Sequence, residues 1–151
     1  MEKLKEAVYT ALRDDSTATV GLRTLLGHAA TPYGVYFAYL PEKPDFSSKH
    51  YLTYMLLAQA AEPGVGGTDM RLRQAVFSVT AWSSSDITKE QILRRIENVL
   101  EQMRKVTKPT SQCELHDLRF ESSGPDLFDD EFKVHHRSVQ YRAYYRDDIT
   151  T

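Results

Sequence analysis

One cysteine, Cys113, stands in 151 residues. A disulfide within the chain is therefore excluded, and so is a cysteine-based metal cluster. Cys113 is expected as a small filler in a strand, because an isolated thiol packs as a small hydrophobe. An excess of either charge is also lacking: 19 Lys and Arg stand against 21 Asp and Glu, a net charge of −2. A protein built to hold nucleic acid carries a basic patch or a high pI, and this chain has interspersed signs instead. No apolar run approaches the roughly 20 residues that cross a bilayer. The start, Met1-Glu2-Lys3-Leu4-Lys5-Glu6, is charged and amphipathic and holds no apolar signal core. A soluble protein made in a cytoplasm is the expectation.

The usual signatures of chemistry are missing too. There is no Gly-x-Ser-x-Gly elbow. Pro63-Gly64-Val65-Gly66-Gly67-Thr68 is rich in glycine but lacks Gly-Lys-Ser/Thr and a following helix. It reads as a mobile connection between strands rather than a phosphate cradle. His135 and His136 are adjacent in a strand-like run, so they point to opposite faces and are poorly placed to share a metal. His28, His50 and His116 are scattered, without ligand spacing. Ser83-Ser84-Ser85-Asp86 sets serines beside an acid with no histidine close in sequence. It reads as a polar loop that caps a helix, although triad partners can be distant. Asp126 to Glu131 is acidic but lacks the glycine and spacing of a calcium loop, so a solvated turn is expected. No catalytic, cofactor-binding or metal-binding residue is nominated, and no cofactor is expected.

What is present is patterning. With 41% hydrophobic and 26% charged residues, the chain can bury a core, and its length suits a single domain over 1–151. Glu2 to Arg13 spaces Leu4, Val8, Ala11 and Leu12 as a helix does. A short helical piece follows over Val20 to Leu26, with Gly27 as its C-terminal cap. Val35 to Leu40 reads as a strand, Pro41 to Ser48 as a loop and Tyr51 to Gln59 as the next strand. The Met, Leu, Ala and Gln of that last run also suit a helix. Arg71 to Trp82 alternates: Ala75, Phe77, Val79 and Ala81 share one face, and Gln74, Ser78 and Thr80 the other. A major helix starts near Asp86 or Thr88, with a capping box at Thr88-x-x-Gln91. It carries Ile92, Leu93, Ile96, Val99, Leu100 and Met103 on one stripe. Glu114 to Glu121 and Phe132 to Arg146 read as strands. The last would reach roughly 50 Å at about 3.3 Å per residue, so it either bends at a bulge or outruns its partners and leaves backbone groups for another chain. The predicted class is α+β: a mostly antiparallel sheet of four to five strands with two main helices on one face, in the order α β β β α β β.

Several local idioms occur in a telling order. Thr31-Pro32-Tyr33-Gly34-Val35-Tyr36 leads into the first strand. Ala75-Val76-Phe77-Ser78-Val79-Thr80-Ala81-Trp82 is an apolar strand ending on tryptophan, and the helix from Ile87 to Val106 follows it. Phe128-Asp129-Asp130-Glu131-Phe132 precedes the closing Val139-Gln140-Tyr141-Arg142-Ala143-Tyr144-Tyr145-Arg146. Together these resemble the phage tail terminator and tail-completion family, the head–tail joining proteins of long-tailed phages and prophages. The segment from Pro41 to Asp69 departs from that pattern by its length. The resemblance implies a virion structural protein and no enzyme. Such a protein forms a homo-oligomeric ring, commonly a hexamer. The ring caps the tail tube, ends its polymerisation and meets the head-completion or connector protein. Its partners would be itself, the major tail tube protein, the connector, and genomic DNA passing through the lumen without sequence-specific binding. Its place would be the head–tail junction. A neighbouring neck protein is the nearest alternative; a small enzyme or a nucleic-acid-binding module are the others.

A ring needs a head-to-tail contact that closes. The residues nominated for it lie in the glycine-rich segment, flank it or end the last strand: Gly64, Gly66, Gly67, Met70, Arg71, Arg73, Tyr144 and Arg146. Tyr141 to Arg146 interleaves tyrosine and arginine, which suits stacking on single-stranded nucleic acid. The same residue types are enriched at protein interfaces, and that reading is preferred.

Overall fold

The computed structural model describes residues 2–17, 19–61, 72–105 and 113–147. Its elements are α1 (Glu2–Arg13), α2 (Leu22–Leu26), β1 (Val35–Phe37), β2 (Tyr51–Ala61), β3 (Leu72–Ser83), α3 (Asp86–Lys105), β4 (Cys113–Ser123), β5 (Leu127–Asp129) and β6 (Val134–Asp147). The class is α+β, as the patterning predicts. The sheet has six strands, in the order β1-β2-β3-β6-β4, with β5 on β6.

Two features of the sheet differ from expectation. Val35–Phe37 pairs in parallel with Leu52 to Tyr54, not as an antiparallel neighbour. The chain between them, 38–50, supplies the crossover of about a dozen residues that a parallel pair requires. The acidic turn also contains a strand: Leu127, Phe128 and Asp129 pair with His136, His135 and Val134.

The length of β6 has a physical explanation. One edge pairs with β3 from Ser83↔His135 to Leu72↔Arg146. The other edge is shared by two strands in succession, β5 against Val134 to His136 and β4 against Val139 to Asp147. β6 is therefore central and does not outrun its partners. The outer strands of the sheet are β1 on one side and β4 with β5 on the other.

β3 and β4 are each antiparallel to β6, so they run parallel to one another, and α3 crosses from one to the other over a single face. The helix places Ile92, Leu93, Ile96 and Leu100 against the sheet, all buried. Each contributes about 1.5–3 kcal/mol of apolar burial. They meet Ala75, Phe77, Val79 and Ala81 of β3 and Val139, Tyr141, Ala143 and Tyr145 of β6. Leu4, Val8 and Leu12 of α1 and Leu22 and Leu26 of α2 complete the core. Gly27 caps α2 with a left-handed backbone at φ +78, as the sequence predicts. The cap of α3 is one residue earlier than the predicted choices. Ser85 Oγ accepts the Thr88 N–H at 3.3 Å, which frees Asp86 for a different partner. No helix among the described residues is long and apolar enough to cross a membrane.

Candidate functional site

A serine–histidine pair exists that the sequence hides. Ser83 Oγ lies 2.8 Å from His50 Nδ1, across 33 positions. The Ser85 N–H donates to the same hydroxyl at 3.0 Å, so the Ser83 proton is free to point at His50. His28 Nε2 lies 2.8 Å from the His50 carbonyl; a carbonyl only accepts, so this nitrogen carries a proton. Burial pushes the pKa of both histidines down. Ser83 is fully buried. With no exposed hydroxyl, and no carboxylate on His50 among the described residues, the pair lacks what a nucleophilic serine requires. Its role is structural: it ties the chain before β2 to the end of β3 and the first turn of α3.

Asp86, Glu90 and Asp126 converge closely enough to hold a cation. A cation is already there. Lys89 Nζ donates to Asp86 at 2.7 Å and to Asp126 at 2.6 Å, and Glu90 is 3.5 Å away. The Lys89 side chain is fully buried. Burial works against its charge, but the bonds to Asp126 and Asp86 outweigh this and raise its pKa. A second ionic link joins Asp15, buried, to Arg95 through two bonds of 2.7 and 2.8 Å. Asp15 also accepts the Leu22 N–H at 2.9 Å, so one carboxylate holds both α2 and α3.

The face of the sheet away from the helices carries cross-strand polar links. Trp82 Nε1 donates to Thr53 at 3.0 Å, and its ring stacks on His136 at 4.3 Å. Thr80 and Ser138 hydroxyls meet at 2.7 Å. Arg142 donates to Gln74 at 2.6 Å and to Glu121 at 2.9 Å, so it spans three strands. His135 turns the other way, edge-on to Phe128 at 4.9 Å, as alternation requires.

Two further surfaces stand out. A groove of about 380 Å³ runs between α2 and α3, lined by Thr19, Val20, Leu25, Gln91, Arg94, Arg95 and Asn98. Val20 is 51% exposed. Arg94 is exposed and has no ionic partner among the described residues. The second surface is the projection from Leu127 to Lys133. Leu127 and Phe128 are each 49% exposed, and Asp130 and Glu131 are exposed beside them. Asp129 Oδ1 accepts the N–H groups of Glu131 at 2.8 Å and Phe132 at 3.0 Å, which fixes the tip.

Of the nominated contact residues, Gly64, Gly66, Gly67, Met70 and Arg71 lie outside the described residues. The structure brings the other three together. Arg73 pairs in register with Tyr145, one residue from Tyr144, and Leu72 pairs with Arg146, all at one end of the sheet. Each of the three is half-buried. The groove and the projection carried no sequence signal as partners, since their residues read individually as helix face and solvated turn.

No protein-family model matches this chain, and no curated relative matches it in sequence. Solved structures share its fold. A chain from the virion of a native gene transfer agent particle superposes with a TM-score of 0.65. It is 18% identical, over 94% of this chain and 93% of its own length. A second solved structure, 14% identical, superposes with a TM-score of 0.52 over 97% of this chain and 96% of its own.

Proposed function

We propose that this chain is a structural protein of a phage-like virion, and that it acts as a tail terminator at the head–tail junction. In this reading it forms a homo-oligomeric ring, a hexamer. The ring closes the tail tube, ends its growth and offers a surface to the head connector. Genomic DNA passes through the lumen and is not read. The observation that carries the proposal is the whole-length superposition on a virion chain of a gene transfer agent, with almost nothing left over on either side. Three points support it. The order of idioms along the sequence resembles tail-completion proteins. The serine–histidine pair and the acidic cluster are internally satisfied and buried or neutralised, so neither offers a reactive group. The near-neutral charge suits a wall that DNA slides past without being held.

The test is mass and effect. Light scattering on the purified chain should give a multiple of 17.3 kDa, six copies in the hexamer reading. Electron microscopy should show rings. Added to polymerising tail tube protein, the chain should arrest tube length. A chain that stays at its monomer mass at high concentration and leaves tube length unchanged overturns the reading.

A further inference from the structure

We propose that the acidic projection Leu127–Lys133 of one copy seats in the α2–α3 groove of the next copy. This inference rests on the ring reading above and names the contact that would close it.

The two surfaces are complementary in charge and in apolar character. The groove offers Val20 and Leu25 with Arg94 on its rim. Arg95 is spent on Asp15, so Arg94 is the unneutralised cation. The projection offers Phe128, half exposed, with Asp130 and Glu131 next to it; Leu127 points to the opposite face of β5. A buried aromatic side chain removes about 150–250 Å² from water, and aromatic residues, phenylalanine among them, are enriched at interfaces. A groove of about 380 Å³ has room for one such ring. The charged pair at the rim would set register and discourage wrong partners more than it adds affinity.

Topology forbids the contact within one copy. β5 joins β6 on the edge that β4 also occupies. The groove lies on the opposite flank of α3, the one that faces α2. One molecule therefore carries a plug on one side and a socket on the other. A plug-and-socket contact is head-to-tail, and head-to-tail contacts generate rings when the rotation closes. The plug is also held in shape before binding. Asp129 fixes its tip, and Lys89 anchors its base through Asp126 at 2.6 Å. Little ordering entropy is left to lose on docking.

Charge reversal on each side supplies the test. Arg94→Glu should weaken association about tenfold or more, because like charges would then face each other. The double variant Asp130→Lys, Glu131→Lys should do the same. Mixing the two variants should restore assembly. In an alternating ring each reversed socket meets a reversed plug, and each natural socket meets a natural plug. Sedimentation at low salt reads all four samples. All the altered side chains are exposed, and circular dichroism checks that each variant is folded. Association of Arg94→Glu at the unaltered strength overturns the contact while leaving the ring reading intact. So does a mixture that stays dissociated. Failure of the unaltered chain to associate overturns both.

Discussion

Gly34 occupies a left-handed backbone, φ +84, against the ring of His28. A Cβ there would sit 2.6 Å from His28 Cδ2 and 3.1 Å from the His50 carbonyl. Gly34→Ala therefore incurs both backbone strain and a clash with a ring that is hydrogen-bonded in place. The expected loss is about 1–3 kcal/mol, read as a lower urea midpoint at unchanged slope. A midpoint equal to that of the unaltered chain would show that His28 moves aside freely. The sequence marks Gly34 as a loop glycine and says no more. Its real constraint comes from His28 and His50, which meet only because the chain doubles back between α2 and β2. Ser83 is the same case. Its histidine partner is remote in sequence, and proximity of that kind leaves no local trace.

At the level of elements, what could be read and what could not divide along one line. Helix and strand identity follows from local periodicity, so α1, α3, β3 and β6 fall where the patterns place them. Neighbour relations do not follow. β1 is too short for its direction to be encoded, and β5 hides among acidic residues because only three positions pair. The length of β6 is excessive for one partner; two strands laid end to end account for it. Lys89 belongs to this scale, because it joins the first turn of α3 to the base of the β5 projection. Its partners Asp86 and Asp126 have side chains 59% and 60% exposed, so they rehydrate when it is removed. Lys89→Ala should therefore cost about 1–2 kcal/mol, from lost apolar stem and a modest ionic contribution. Lys89→Met, which keeps the stem, should cost less. Chemical denaturation of both variants checks the order. Equal losses for Met and Ala would mean that the charge, not the stem, carries the stability.

For the molecule as a whole, three histidines share one direction of shift. His28, His50 and His136 all have pKa values lowered from 6.5, each chiefly by burial. A histidine whose folded pKa is depressed binds its proton more readily when the chain is unfolded. Its stabilising contribution is thus complete above about pH 6.5 and drains away as pH falls toward the folded values. The melting temperature should hold level from pH 8 to 7 and then decline from 6.5 to 5. A second decline should follow below about pH 4, as Asp14, Asp15 and Asp126, lowered from 3.8, are protonated. A flat profile between pH 7 and 5 would show that the three imidazoles gain enough water to titrate normally.

The central place of β6 has a consequence for how the molecule is made. β6 follows β3, β4 and β5 along the chain, yet all three depend on it for hydrogen bonds. The Thr80–Ser138 link alone spans 58 positions. During synthesis β3 and β4 emerge with an empty lane between them and wait for the strand that fills it. Closure of the sheet is then a late, non-local event, of the kind that slows folding and exposes strand edges meanwhile. Until β6 fills that lane, the facing edges of β3 and β4 are where one chain could pair wrongly with another.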